Sequence, residues 1–137
     1  MINPSSSFPV YTVESILKAK DFYEKYFGFS TAFENEWYIH LVSASGIQIG
    51  FLLPDQPTQP DIFHKAYNGT GSIFSLEVDD VKSAYAEALG ESLNIVLELR
   101  LEDWGQHHFV IEDPNGIHLD LVESFEPTDE YQEGYKT

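Results

Sequence analysis

The sequence predicts an α+β fold built from two copies of one β-α-β-β-β module, and three observations carry that expectation. The segment Gly46-Ile47-Gln48-Ile49-Gly50-Phe51 recurs as Gly116-Ile117-His118-Leu119-Asp120-Leu121. Upstream, Val13-Glu14-Ser15-Ile16-Leu17-Lys18-Ala19 recurs as Val78-Asp79-Asp80-Val81-Lys82-Ser83-Ala84. The offsets of 70 and 65 residues keep order and spacing, and so long a period is not that of a solenoid repeat. Each copy also sets one helical periodicity ahead of strand-like runs. Finally, the hairpin residues of the two copies sort into one apolar and one mixed face.

In the first copy, residues 8–12 are expected to form a short strand. Residues 13–27 read as an amphipathic helix, because Ile16, Ala19, Tyr23 and Phe27 recur at spacings of three and four. Ser15 is placed to cap its start and Gly28 to end it. Residues 37–42 and 47–53 are strands joined by Ser43-Ala44-Ser45-Gly46, with residues 29–33 a weaker strand. The linker, residues 54–70, is marked by prolines and turn formers.

The second copy repeats this order. A strand is expected over 72–78 and a helix from Asp79 or Asp80 to about Leu89, ended by Gly90. Strands follow over 95–101, 107–112 and 117–123. The modules thus span about 7–53 and 71–124 of a single domain, 1–124. The remainder, 125–137, is acidic, poor in apolar residues and expected to be mobile, with Tyr131 and Tyr135 available to dock.

The turn Asp113-Pro114-Asn115-Gly116 fixes a register. Pro at the second position and Gly at the fourth suit a type I turn followed by a left-handed glycine bulge. That pairs Ile111 with Leu119 and Phe109 with Leu121, so all four share the face under the helices. His108, Val110, Glu112, His118 and Asp120 take the other face. The same register in the first copy buries Ile39, Leu41, Ile49 and Phe51 and turns Tyr38, His40, Val42, Gln48 and Gly50 the other way. Two such sheets are expected to curl into a cup.

Composition narrows function further. The chain has 137 residues, a net charge of −16 and only seven Lys and Arg, so nucleic-acid binding is not expected. An acidic shell attracts cations. There are no cysteines, which excludes disulfides, thiolate metal sites and thiol catalysis. No run suits a membrane span and the first residues do not read as a secretory leader, so the expected location is cytoplasmic. The Gly-x-Ser-x-Gly, phosphate-loop and His-Glu-x-x-His patterns are all missing, which argues against hydrolase, nucleotide-binding and metalloprotease chemistry.

Two β-α-β-β-β modules with Asp21-Phe22-Tyr23 ahead of Phe27-Gly28-Phe29, then Val78-Asp79-Asp80-Val81, Trp104-Gly105-Gln106 and Asp113-Pro114-Asn115-Gly116, resemble the vicinal oxygen chelate superfamily. This is the glyoxalase, bleomycin-resistance and extradiol-dioxygenase group, and the resemblance covers residues 8–123. It implies a cupped mixed sheet, a homodimer and a ligand held in the cup. It also implies that metal-dependent members ligate at positions matching Phe8, Gln48 or Gly50, Ile73 and Asp120. Phe8 and Ile73 cannot ligate through their side chains, and zinc or iron needs three or four protein ligands. The resemblance is therefore nearest the metal-free, bleomycin-resistance-like branch, whose members sequester a cationic aromatic drug. No cofactor is expected on that branch.

The ligand-binding residues expected on this reading are Phe8, Trp37, Tyr38, His40, Gln48, Trp104, His108, Glu112, His118 and Asp120. Trp104, Trp37 and Tyr38 would stack on a planar small molecule, and Asp120 and Glu112 would meet a cationic group. Plain hydrophobic plugging of the sheet ends is the competing role for the tryptophans. For the histidines and Asp120 it is polar lining of a wet cavity, or acid–base work. A relocated divalent-metal site of His40, His108, His118 and Asp120, serving a lyase, isomerase or dioxygenase, is the alternative. His107 and His64 receive no role.

Overall fold

A computed structural model describes residues 1–135, and the last two residues of the expected tail lie outside them. The chain forms two compact units, one of Met1–Thr70 with Pro114–Gly116 and the other of Gly71–Asp113 with Ile117 onward. Among the described residues no helix is long and apolar enough to cross a membrane.

The first unit contains β1 (Val10–Thr12), α1 (Ile16–Phe27), β2 (Ser30–Glu34), β3 (Tyr38–Val42) and β4 (Gln48–Leu52). The sheet order is β1-β4-β3-β2, with β1 parallel to β4 and the other pairs antiparallel. Ser15 caps α1 by accepting the Lys18 N–H at 3.1 Å, and Gly28 ends it in the left-handed region at φ 67°. Both roles match the sequence reading. Register pairs Ile39 with Phe51 and Leu41 with Ile49, and all four are fully buried with Ala19 and Tyr23 of α1. Each such aliphatic or aromatic side chain contributes about 1.5–3 kcal/mol by leaving water.

The second unit contains β5 (Phe74–Glu77), α2 (Val81–Gly90), β6 (Asn94–Glu102), β7 (Gln106–Glu112), β8 (His118–Ser124) and the short α3 (Asp129–Gln132). Its sheet repeats the first, in the order β5-β8-β7-β6. The expected hairpin register is present, with Phe109 opposite Leu121 and Ile111 opposite Leu119, all buried. Gly116 takes φ 81°, and the Asp113 carboxylate accepts the Ile117 N–H at 2.9 Å, which closes the turn.

Several bounds shift, α1 starting at Ile16 and β1 at Val10, and the tail contains the short α3; two further differences lie in the second unit. Gly90 is the last residue of α2 rather than its stop. The chain instead turns through Ser92 at φ 55°, and the Leu93 N–H reaches back to the Ala88 carbonyl at 3.0 Å. The edge strand β6 is longer than expected, and its register with β7 shifts between Ile95 and Leu97 and again between Leu97 and Arg100. Such irregularities twist an edge away from further pairing.

Candidate functional site

The first unit contains a cavity of about 580 Å³ on the mixed face of its sheet. Side chains alternate along a strand, so Phe8, Val10 and Thr12 lie on one face of the β1 edge. Tyr38 and Leu52 are cross-strand partners on β3 and β4, and Trp37 precedes them. Gln59 and Phe63 complete the lining from the segment after β4.

Local hydrogen bonds set this wall. Asn35 Oδ1 accepts the N–H groups of Trp37 (2.9 Å) and Tyr38 (2.8 Å), an Asx turn that aims both aromatics. Thr12 Oγ1 donates to the Phe63 carbonyl at 2.8 Å, and the Tyr67 N–H donates to the Thr12 carbonyl at 2.8 Å. The segment is thereby pinned against β1. His64, without a role in the sequence reading, orders the same segment: its Nε2 donates to the Gln59 carbonyl at 2.7 Å.

Beside the cavity runs a polar chain. Tyr38 Oη lies 2.8 Å from His40 Nδ1, and His40 Nε2 lies 2.7 Å from Gln48 Oε1. Phe8 packs edge-on to His40, with centroids 4.6 Å apart. Burial holds the Tyr38 hydroxyl above its ordinary pKa, so it stays protonated at neutral pH. Gly50 faces the same way, and the Tyr38 ring occupies the space a side chain there would need. Five of the expected site residues, Phe8, Trp37, Tyr38, His40 and Gln48, thus meet in one unit.

The other five lie in the second unit: His108 with Asp120, Glu112 near His118, and Trp104 edge-on to His108 at 6.4 Å. His108 is clamped between carboxylates: Nδ1 is 2.7 Å from Asp120 Oδ1 and Nε2 is 2.9 Å from Glu102 Oε2. A carboxylate oxygen at each nitrogen favours the imidazolium, the form with two N–H donors. Burial alone would lower its pKa, but the hydrogen bonds and charges of Glu102 and Asp120 override that and raise it. The hydrogen bond from His108 in turn lowers the Glu102 pKa, aided by Arg100, whose Nε donates at 2.7 Å. Glu112 accepts from Asn94 Nδ2 at 2.8 Å and stands 3.9 Å from His118 Nε2. The two carboxylates expected to meet a ligand cation, Asp120 and Glu112, are therefore already partnered.

Trp104 packs against the C-terminal segment. Its ring meets Tyr131 edge-on at 6.2 Å, its indole N–H donates to Gln106 Oε1 at 2.9 Å, and its carbonyl accepts from the Tyr135 hydroxyl. Phe125 and Thr128 donate backbone N–H groups to Gly105 and Asp103 at 2.9 and 3.0 Å. Removing residues 126–137 in a Trp37→Phe background is expected to red-shift Trp104 emission and open the ring to acrylamide. An unchanged spectrum would show that Tyr131 does not cover it.

Sequence reasoning missed Val10, Thr12, Leu52, Gln59 and Phe63. Period-two alternation from Phe8 would have found the first two. Gln59 and Phe63 sit in a proline-rich connection where no periodicity assigns a face.

The family model described as the Glyoxalase/Bleomycin resistance protein/Dioxygenase superfamily matches residues 8–121. The chain belongs to this superfamily. Solved structures bear out the fold. A superfamily member from Sphaerobacter thermophilus is 23% identical, with TM-score 0.72, and the match covers 90% of this chain and 100% of that one. The bleomycin resistance determinant encoded on transposon Tn5 is 18% identical with TM-score 0.65, covering 88% and 98%. A glyoxalase/bleomycin resistance protein/dioxygenase from Nocardioides is 12% identical with TM-score 0.76, covering 92% and 87%. No curated protein matches the sequence significantly.

The residues at the superfamily's metal positions do not fit a divalent ion. Phe8 and Ile73 offer hydrocarbon, and Gly50 offers no side chain and no room for one. Gln48 is held by His40 and Asp120 by His108. Among the described residues no three His, Asp or Glu side chains converge as a metal site.

Proposed function

We propose that this superfamily member binds a small planar aromatic molecule in the cavity of its first unit, without a metal and without turning it over. The observation that supports this most directly is the cavity itself: about 580 Å³, with aromatic walls from Phe8, Trp37, Tyr38 and Phe63. Pockets of this size, mostly apolar with a few polar groups, suit small organic ligands. Aromatic rings favour planar partners by stacking and edge contacts.

The lining favours a neutral ligand. None of its eight residues carries a charge at neutral pH. A cation moved from water into an apolar cavity loses solvation, which ring faces offset only in part. The acidic surface, at −16, would still concentrate cationic aromatics near the protein. A cationic drug would meet only ring faces and no carboxylate in this lining, since Asp120 and Glu112 are not part of it and have other partners.

Isothermal titration with 2-naphthol, before and after exhaustive dialysis against EDTA, tests the reading. The expected result is saturable binding of about one equivalent per chain, unchanged by the chelator, with no chemical change in the recovered naphthol. Loss of binding on dialysis, restored by zinc, iron, manganese or nickel, would overturn it in favour of a metal-dependent enzyme.

A further inference from the structure

We infer that the cavity selects ligands bearing a hydrogen-bond donor, because the hydroxyl of Tyr38, one of its lining residues, has only an acceptor to offer. The inference rests on the cavity being the binding site and adds a polarity to it.

The polarity comes from the chain Gln48–His40–Tyr38. Gln48 Oε1 faces His40 Nε2 at 2.7 Å, and a carbonyl oxygen has no proton to give. A neutral imidazole carries one proton, so that proton sits on Nε2 and is donated to Gln48. Nδ1 is then bare, and it accepts the Tyr38 proton across 2.8 Å. With its one proton committed to His40, the Tyr38 oxygen retains only lone pairs for a ligand.

Packing keeps the chain in this sense. Phe8 meets the imidazole edge-on at an interplanar angle of 86°, and Tyr38 stacks over it with ring centroids 6.0 Å apart. His40 sits on β3 directly opposite Gly50, which leaves space for the Tyr38 ring. A phenol, an amide N–H or an N–H heteroaromatic can donate to Tyr38. An ether or a ketone of the same shape would set lone pair against lone pair.

Three probes of nearly one shape test this at pH 8, where a free imidazole is neutral: naphthalene, 2-naphthol and 2-methoxynaphthalene. We expect 2-naphthol to bind about tenfold tighter than the ether, the ether to bind no better than naphthalene, and Tyr38→Phe to erase the preference while still binding naphthalene. A nitrogen-15 spectrum of His40 in the unsubstituted protein, expected to show Nε2–H and bare Nδ1, keeps the test independent of how the variant folds. Equal affinities for 2-naphthol and the ether, or a His40 protonated at Nδ1, would overturn the inference and leave the cavity standing. No binding of any probe would instead remove the proposed function on which the inference depends.

Discussion

Gly50→Ala is expected to lower 2-naphthol affinity by about tenfold or more and to destabilise the first unit by about 1–3 kcal/mol, the usual cost of overpacking a filled site. A Cβ at position 50 would stand 2.9 Å from Cζ of Tyr38 and nearer still to its hydroxyl. The backbone cannot yield, because β4 is an interior strand and the Gly50 N–H is bonded to the Pro9 carbonyl at 2.9 Å. The Tyr38 ring must therefore turn away, which breaks its hydrogen bond to His40 and changes the cavity wall. Denaturant unfolding and titration calorimetry read the two effects. In a Tyr38→Ala background the stability cost of Gly50→Ala should nearly vanish, since the two side chains compete for one space. A full cost in that background would show that something other than Tyr38 fills it.

His108→Ala is expected to cost about 3 kcal/mol or more near pH 6, because it strips the counter-ion from the buried Asp120 carboxylate. The loss should depend on pH. The His108 pKa is raised in the folded chain above its ordinary 6.5, so its contribution is complete below 6.5 and fades as pH rises through the folded value. The Glu102 pKa is lowered below its ordinary 4.5, so its contribution is complete above 4.5 and fades as pH falls through the folded value. The stability difference between His108→Ala and the unsubstituted protein should be greatest between about pH 4.5 and 6.5 and shrink on the alkaline side. Comparing the two proteins cancels the general relief of charge repulsion that acid brings to any strongly acidic chain. A difference that stays flat from pH 5 to 9 would mean that His108 is not an imidazolium in this clamp.

The clamp shows why the site was harder to read than the fold. His108 and Asp120 were placed on the same face by period-two alternation, and they are. Alternation does not say that Glu102, at the end of β6, would close on the second ring nitrogen. That contact depends on the two register shifts of β6 against β7, which leave no mark in the local pattern. A histidine that looked available to a ligand or a metal is thus held by two carboxylates. Similarly, Gln59 and Phe63 reach the cavity because Thr12 and Tyr67 pin their segment to β1 across more than fifty residues of sequence.

By itself the sequence determined both modules, nearly every helix and strand, the buried face of each hairpin and the superfamily. These follow from local chemistry: helical and strand periods, the Ser15 cap, the left-handed turns at Gly28 and Gly116, and a repeat that states each choice twice. Only the tertiary structure decided which polar side chains are spent on one another and which face open space. Asp120 and Glu112 are partnered in the second unit, and a cavity without charged walls is left in the first. The physical reason is that an ion pair or a cavity wall is set by distances of about 3 Å between residues far apart in the chain, and sequence periodicity fixes only the side on which each residue lies.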